Sequence, residues 1–404
     1  MGKLFLTSLI FILIAMSKIF SSLLLTILLL SACTSSSKDS SANYVVDLVE
    51  HKKVILPIDE RTYYLSRSIF QFERNGTEFL HFENSEKGQS EIVIFNIENQ
   101  KIAQRIQLAN SGPNAIYDIW GSIPYGDSDI IVFQNNAGII TITNNMGHVL
   151  KNFTPVLSNG HSMRTVVGSY YYNPPLIIDS LVYTSQELIK SGLVKKEDWN
   201  KVHMFASMDL RTGETTYSSL FYPSIFENDV RDPAGGYSFT YDYNYKDKCL
   251  VCSFQGYDSL MVSSDFKTVK WYNGRSSYLP SLHPVLPESS DDIHALIRLR
   301  EAPKYSHIMY DKYRDVYYRF AEHPYELSPD ESPYVEPNGR EFSVIVFNDQ
   351  FEIIGETKFP GNKYFYKMSF VGRDGLYISE NNEANPEFDE NKLVFACFGL
   401  KNLE

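Results

Sequence analysis

The sequence predicts an all-β protein whose main body is a six-bladed β-propeller attached to a membrane through its N-terminal end. Three observations support this prediction. An apolar N-terminal run ends in a cysteine, short strands and tight turns alternate from Asn43 onward, and prolines recur at the ends of the repeated units. Helical periodicity is almost absent after Asn43, and the aromatic content of 14% suits strands.

Residues 1–32 have the layout of a signal peptide. Lys18 is the one charge between residues 4 and 32, and Met16-Ser17-Lys18 followed by Ile19 to Leu30 forms a basic start with an apolar core. We therefore expect translation to begin at Met16. The segment Leu30-Ser31-Ala32-Cys33 resembles a lipobox, which predicts cleavage before Cys33 and lipidation of this new N-terminal residue. The alternative is an uncleaved signal anchor.

Residues 33–42 are small and polar, which predicts a flexible tether between the lipid and the body at residues 43–404. Thr34, rather than an aspartate, follows Cys33, and this favours sorting to the bacterial outer membrane. Each buried methylene of an acyl chain contributes roughly 0.8 kcal/mol, so several chains attach a protein stably. The sequence leaves open whether the body faces the periplasm or the outside.

The charge of the body argues against a nucleic-acid partner. Removal of residues 1–32 takes away Lys3 and Lys18 from the 37 basic residues, which leaves 35 basic against 49 acidic side chains and a net charge of −14. Such a field does not attract nucleic acid or anionic lipid. The chain has only four cysteines, so no disulfide framework is predicted.

Strand–turn–strand units recur along the body. Glu91 to Ile97 reads as a strand, the chain turns at Glu98-Asn99-Gln100, and a second strand runs from Lys101 to Leu108. The pattern returns at residues 139–153, 202–213, 260–267 and 342–350. Asn, Asp and Gly at the turns tolerate positive φ, as tight hairpins require. Pro57, Pro155, Pro223 and Pro360 follow later strands, and proline ends an outer strand because it cannot donate to the ladder.

Repeated units of four strands and about 40–60 residues predict a β-propeller. The sixth unit, from Tyr364 to Leu400, has three evident strands, and we expect Val45 to Leu56 to add the fourth and close the ring. Ile293 to Arg300 could instead begin a seventh blade. The first five predicted blades are Thr62–Leu108, Ala115–Phe153, Thr165–Tyr222, Ser238–Arg275 and Tyr305–Phe359.

This layout resembles a known family. A lipobox, a Ser-rich tether and six blades with Ser111-Gly112-Pro113-Asn114 at a blade junction are similar to propeller lipoproteins of unknown function from Gram-negative gut bacteria, which distantly resemble TolB-like propellers. The resemblance implies a fold and a location. It implies no agreed activity and no catalytic residues.

Familiar catalytic and metal-binding motifs are missing from the sequence. Cys249-Leu250-Val251-Cys252 has the CxxC spacing but continues a strand, so its sulfurs should point to opposite faces as buried, inert cysteines. A zinc site would need a second pair of ligands, and the nine histidines form no HExxH pair. The sequence therefore predicts no metal, no cofactor and no assembled catalytic set.

The links between blades offer a candidate binding site. In a propeller they share one face with the loops between each blade's second and third strands. If the links surround the central funnel, their basic side chains converge there and favour an anionic ligand. The alternative is that each is solvated or paired with a neighbouring carboxylate such as Glu60. The predicted site residues are Arg61, His161, Arg164, Arg231, Asp232 and Lys363.

Three long loops are expected on the same face. Ser185 to Lys201 could form a short helix, Pro324 to Arg340 is rich in proline, and Glu380 to Asn391 adds acidic residues to the rim. The leading functional hypothesis is a non-enzymatic module that binds an anionic or glycan ligand or an envelope protein. The alternatives are a glycan hydrolase or lyase that uses His161, and a subunit of an outer-membrane assembly.

Overall fold

The described residues form six four-stranded antiparallel sheets and one short helix. The computed structural model describes residues 44–85, 90–134, 138–164, 172–186, 201–223, 231–232, 238–282, 286–287 and 293–403. The blades belong to one compact unit, Val45–Glu404. The predicted signal peptide, Cys33 and the tether lie outside the described residues, as does most of the predicted helical loop 185–201.

The first strand of the chain and the first three blades alternate strands with short turns. Strand β1 spans Val46–Pro57. Blade 1 contains β2 (Ile69–Arg74), β3 (Thr77–Asn84), β4 (Glu91–Asn96) and β5 (Lys101–Gln107). Blade 2 contains β6 (Ile119–Tyr125), β7 (Asp129–Gln134), β8 (Ile139–Thr143) and β9 (Val149–Phe153). Blade 3 contains β10 (Leu176–Ile178), β11 (Leu181–Ser185), β12 (Phe205–Asp209) and β13 (Thr215–Tyr217).

The second half of the ring repeats this arrangement with more elaborate connections. Two short strands, β14 (Arg231–Asp232) and β19 (Leu286–Pro287), pair in parallel outside the blades. Blade 4 contains β15 (Phe239–Asn244), β16 (Cys249–Phe254), β17 (Ser259–Ser263) and β18 (Lys270–Asn273). Helix α1 (Ile293–Glu301) leads into blade 5, which contains β20 (Lys304–Asp311), β21 (Val316–Glu322), β22 (Phe342–Phe347) and β23 (Ile353–Phe359). Blade 6 contains β24 (Phe365–Gly372), β25 (Gly375–Ser379) and β26 (Lys392–Asn402).

Strand β1 completes blade 6 and closes the ring. It pairs antiparallel with β26 from Val46 opposite Asn402 to Pro57 opposite Lys392. The predicted fold class, blade number and closure by the N-terminal strand are therefore confirmed. Ile293 to Arg300 does not begin a seventh blade, because this segment forms α1. Among the described residues, no helix is long and apolar enough to span a membrane.

The turns follow the chemistry that tight hairpins demand. Asn75 and Gly76 connect β2 to β3, and both have positive φ, of 51° and 76°. A two-residue turn with positive φ at both positions matches the right-handed twist of the strands it joins. Asparagine and glycine adopt this conformation at low cost, so the sequence itself sets the register of blade 1.

Apolar clusters between neighbouring blades hold the ring together. The described residues form six such clusters, one for each pair of adjacent blades, including the pair formed by blades 6 and 1. Cys249 packs in the cluster between blades 4 and 5, and Cys252 packs in the cluster between blades 3 and 4. Burial raises the pKa of both thiols. This agrees with the prediction that the two sulfurs face opposite sides of a strand.

The order of strands within the blades defines the two faces of the ring. The first strand of each blade is innermost, and β20 contacts both β15 and β24 while β24 contacts β2. Turns between first and second strands, such as residues 245–248, lie on one side, which we call the hairpin face. Links between blades and loops between second and third strands, such as residues 323–341, lie on the opposite side, which we call the loop face.

Candidate functional site

Six charged side chains form a connected group on the loop face where blades 5 and 6 meet. Its members come from helix α1, the loop 323–341 and the strands β20, β21 and β24. Each member lies within 4 Å of an oppositely charged member. We call this group the basic cluster, and it consists of Arg300, Lys304, Glu322, Glu336, Arg340 and Lys367.

Two carboxylates connect the four cations. The Nζ atom of Lys304 lies 3.5 Å from both Glu322 and Glu336. Glu336 also contacts the guanidinium of Arg300 and lies 3.7 Å from the Nζ atom of Lys367. The Nε atom of Arg340 is 3.8 Å from Glu322. Within the part of the chain that the structure describes, the basic cluster thus has four cations against two carboxylates.

Backbone geometry assembles these side chains. Lys304 begins β20 and lies opposite Glu322, which ends β21, so the two side chains are a cross-strand pair. Lys367 lies in β24 at an irregularity between Phe365 and Ser369, where the register shifts. Arg300 is in the last turn of α1, and its Nε atom donates to the carbonyl of Pro333 at 3.0 Å. Strand register, and not sequence proximity, therefore creates the site.

Burial and charge work against each other in the basic cluster. The side chain of Glu322 is 1% exposed, and burial alone would raise its pKa, but Lys304, Arg340 and Lys367 together hold the pKa below its usual range. Burial lowers the pKa of Lys367, although Glu336 and Glu322 oppose this shift. Burying a charge is costly unless its partners compensate it. Excess positive charge in this location therefore favours an added anion.

Arg340 is the most deeply buried cation of the group. Its Nη1 atom donates to the carbonyls of Ala302 at 2.9 Å and His323 at 3.0 Å, and its guanidinium lies 5.7 Å from the ring centre of Tyr325. Among the described residues, its buried Nε and Nη2 atoms have no hydrogen-bond partner. Buried guanidinium N–H groups usually donate to an acceptor, and a planar fork of two donors suits a carboxylate, sulfate or phosphate.

The basic cluster remains reachable from the loop face. Glu336 is 24% exposed and Arg300 is 16% exposed, so an anion can enter beside them. Tyr334 and Val335, directly before Glu336, are exposed at 70% and 61%. An exposed tyrosine beside buried charges provides both an apolar surface and a hydroxyl for a ligand.

Two of the predicted site residues lie near the outer strands, and not at the axis as expected. Arg61 is 3.6 Å from Asp59, which pairs at 3.0 Å with Arg105 on the outer strand β5. Lys363 lies 3.6 Å from Glu50 on the outer strand β1 and 3.4 Å from Glu380. Both side chains pair with carboxylates, as the alternative interpretation stated, although Arg61 uses Asp59 and not Glu60.

His161 and Arg164 lie on the link between blades 2 and 3. His161 is exposed, and its turn contacts an outer strand through a 2.8 Å hydrogen bond from Asn159 to the hydroxyl of Tyr217. The backbone of Arg164 bonds to Gln186 and Thr184 at the end of β11. The lyase alternative requires His161 beside an arginine in the funnel, and it stays a prediction.

Arg231 and Asp232 form β14, paired in parallel with Leu286–Pro287. The positions of their side chains lie outside the described part of the structure. No described contact joins Arg61, His161, Arg164 and Lys363 to one another. The structure gathers a different set of cations, the basic cluster, on the loop face.

Several acidic residues of the long loops accept hydrogen bonds or form ion pairs with nearby groups. Glu331 accepts hydrogen bonds from the hydroxyl of Tyr325 at 2.7 Å and the backbone of Ser328 at 2.8 Å. Glu383 accepts from the hydroxyl of Tyr64, and Asp389 pairs with Lys392 at 2.7 Å. The loop 323–341 therefore holds a fixed shape over the basic cluster.

Comparisons with known proteins agree with this architecture. A profile described as a domain of unknown function (DUF4221) matches residues 46–358. The chain is similar to the crystal structure of a DUF4221 family member from Bacteroides vulgatus ATCC 8482, at 57% identity and a TM-score of 0.86, over 89% of this chain and 100% of that one. It is also similar, at 11% identity and a TM-score of 0.48, to a putative exported protein from Bacteroides fragilis NCTC 9343, over 91% of this chain and 98% of that one.

No curated protein matches the chain. The profile match covers well over half of the sequence, and the Bacteroides vulgatus structure shares the fold over its whole length. The resemblance predicted from the sequence, to a propeller family of unknown function from Gram-negative gut bacteria, is confirmed. The chain therefore belongs to the DUF4221 family.

Proposed function

We propose that this protein is a lipid-anchored, non-enzymatic binding module of the bacterial outer membrane whose loop face takes an anionic ligand at the basic cluster. The lipobox around Cys33 and the polar tether support the anchor and the location. The ring supports the binding role, because propellers are rigid scaffolds whose function resides in loops. The ligand carries a carboxylate, sulfate or phosphate group.

One observation supports an anion as the ligand. Arg340 is 1% exposed, and its Nε and Nη2 atoms are buried without a hydrogen-bond partner, within a described group of four cations and two carboxylates. An anion beside Arg300 and Lys304 would offset the excess positive charge. It would also accept the charge-assisted hydrogen bonds that a guanidinium forms best. Tyr334 would contact the remainder of the ligand.

Calorimetric titration of the soluble chain that begins after Cys33 with inorganic phosphate and with sulfate tests the anion site. Hydrogen bonds to charged groups contribute about 1.5–3 kcal/mol, so we expect Arg300→Met and Lys304→Met each to weaken binding about tenfold or more. Arg61→Met is the matched control, since Arg61 is an exposed cation of the same face that pairs with Asp59. Its affinity should equal that of the parent protein.

Two results would contradict the anion proposal. One is that neither phosphate nor sulfate binds the parent protein. The other is that Arg61→Met loses binding while Arg300→Met and Lys304→Met keep it, which would return the site to the residues predicted from the sequence. Retained melting temperatures in all three variants show that the comparison concerns binding and not folding.

Mass spectrometry of the protein purified from native membranes tests the anchor. We expect an N-terminal Cys33 carrying diacylglycerol, and we expect Cys33→Ser to leave the protein in the soluble fraction. An unmodified Cys33, or a chain that keeps residues 1–32, would contradict the anchor. This test is independent of the ligand, so either half of the proposal can fail alone.

A further inference from the structure

A cavity of about 270 Å³ lies among the inner strands of blades 1, 4, 5 and 6, toward the hairpin face. It shares no lining residue with the basic cluster: β15, β20 and β24 contribute their hairpin-face ends, and β2 contributes its first three residues. Six of the fourteen lining residues are aromatic: Phe70, Tyr172, Tyr243, Tyr245, Tyr310 and Phe370. A cavity of this size holds a small organic molecule.

One carboxylate, that of Asp242, faces this cavity. Its Oδ2 atom accepts hydrogen bonds from the hydroxyl of Tyr172 at 2.9 Å and the backbone N–H of Tyr310 at 2.8 Å. Its Oδ1 atom accepts from the backbone N–H of Tyr243 at 2.7 Å. Two carboxylate oxygens offer about four acceptor positions, so Oδ1 can still accept from or contact a ligand.

Asp242 has no ion pair within 4 Å among the described residues. The two lysines that line the cavity lie at its rim and have carboxylate partners of their own: Lys246 pairs with Asp315, and Lys312 lies 3.7 Å from Glu73. Both lysine side chains are more than half exposed. A deep anion without a cation beside it is costly, and a bound cation would remove that cost.

The backbone conformation of Tyr172 is independent support for a ligand site at this cavity. Its φ is +44°, in the left-handed region that a tyrosine rarely adopts. Backbone strain of this kind concentrates at ligand-binding sites, where surrounding contacts hold it in place. Here the hydrogen bond to Asp242 and the packing of the ring 5.4 Å from His307 hold Tyr172 over the inner end of the cavity.

We propose that this axial cavity binds a small organic ammonium ion, with Asp242 as its counter-ion and the tyrosine rings as its walls. Aromatic faces attract organic cations, and a carboxylate among them adds direct charge pairing. A metal ion fits the wall less well, because hard cations require six or more oxygen ligands. This site is independent of the anion site proposed for the loop face.

Titration with choline, followed by calorimetry or ligand-observed NMR, tests the proposal. The neutral control is 3,3-dimethyl-1-butanol, which has nearly the shape of choline without its charge. We expect choline to bind with a dissociation constant on the order of 1 mM, and the neutral molecule to bind at least tenfold more weakly. Equal affinity for the two molecules, or no binding of choline at 50 mM (about fifty times that value), would overturn the proposal.

Variants locate the binding within the cavity. Asp242→Asn should weaken choline binding at least tenfold, and Tyr245→Leu should weaken it several-fold. Tyr245 is 58% exposed, so its replacement leaves the core intact, and Tyr117→Leu is the matched control at 60% exposure outside the cavity. Choline binding that survives both cavity variants, with melting temperatures unchanged, would also refute the site.

The pH dependence gives a readout that a purely structural role of Asp242 would not produce. Burial raises the pKa of this carboxyl to about 6, while the pKa values of Glu73 and Asp315 at the rim are lowered, Glu73 to about 2. Asp315 raises the pKa of Lys246, and burial raises the pKa values of Tyr172 and Tyr310, so these facing groups keep their protons over this range. Choline affinity should therefore fall about tenfold from pH 7.5 to pH 5, because choline itself does not titrate. A flat profile would refute Asp242 as the counter-ion.

Discussion

Replacement of Arg319 by methionine should lower the melting temperature by about 5 °C. Arg319 lies on β21 in blade 5, is fully buried, and reaches across to blade 4. Its guanidinium stacks 3.4 Å from the ring centre of Tyr305. Five hydrogen bonds bind it to blade 4, with Ser253 Oγ at 2.8 Å and the carbonyls of Asp258, Tyr257, Gly274 and Phe254 at 2.7, 2.7, 2.9 and 3.4 Å.

The expected loss of stability follows from the carbonyl groups that lose the Arg319 donor when methionine replaces it. The carbonyls of Asp258 and Phe254 keep backbone donors, Gly274 N at 3.0 Å and Tyr257 N at 3.5 Å. The carbonyls of Tyr257 and Gly274 lose their side-chain donor, and each buried group left unpaired costs about 1–3 kcal/mol, which gives about 4 kcal/mol in total. An unfolding entropy of about 2.1 cal/mol/K for each of roughly 360 residues converts this into about 5 °C.

Differential scanning calorimetry at one scan rate measures this shift. Arg211→Met is the matched control, since Arg211 is 76% exposed and pairs with Asp209 at the surface, where an ion pair contributes little. The control should melt within about 1 °C of the parent protein. If Arg319→Met melts as close to the parent protein as Arg211→Met does, the hydrogen bonds of Arg319 between blades 4 and 5 do not contribute the stability assigned to them here.

Two further predictions concern other junctions of the ring. His81 is fully buried, its Nε2 atom lies 2.8 Å from Ser122 Oγ, and burial lowers its pKa to about 3. Below about pH 6.5 the His81 imidazole binds a proton in the unfolded chain but not in the folded chain. The free energy of unfolding should therefore fall as the pH drops from 6.5 toward 3. Melting scans of His81→Gln should show a weaker fall. Gly355→Ala places a Cβ atom 2.4 Å from the carbonyl oxygen of Val46 on β1, and this overpacking should cost about 1–3 kcal/mol in calorimetry. An unchanged melting temperature would show that β1 can move away.

The fold could be predicted because each blade carries its own local signals. Strand length, turn residues such as Asn75 and Gly76, and the proline stops are short-range properties that a single sequence displays. Even the closing strand was detectable, because Pro57 marks an outer strand and the last blade had only three strands. The exception is the segment of α1, whose apolar residues Ile293, Leu296 and Ile297 fit a strand or a helix equally in so short a run.

The basic cluster could not be predicted in the same way. Lys304 and Lys367 are far apart in sequence, and their approach depends on the register of β20, the irregularity in β24 and the position of Glu336 in a long loop. The sequence showed only that the loop from Pro324 to Arg340 was unusually long. Arg61 and Lys363 are predicted site residues because they lie on links between blades. In the structure they pair with carboxylates near the outer strands.

Closure of the ring by β1 sets an order of events during folding. The first strand of the propeller completes its pairing only when the last strand forms, because Val46 pairs with Asn402. Until β26 forms, β1 is an unpaired edge at risk of aggregation. Its middle carries His51, Lys52 and Lys53 and a register shift between Glu50 and Lys52, and charges with a bulge discourage pairing with other chains. The least apolar part of β1 thus discourages aggregation before the ring closes.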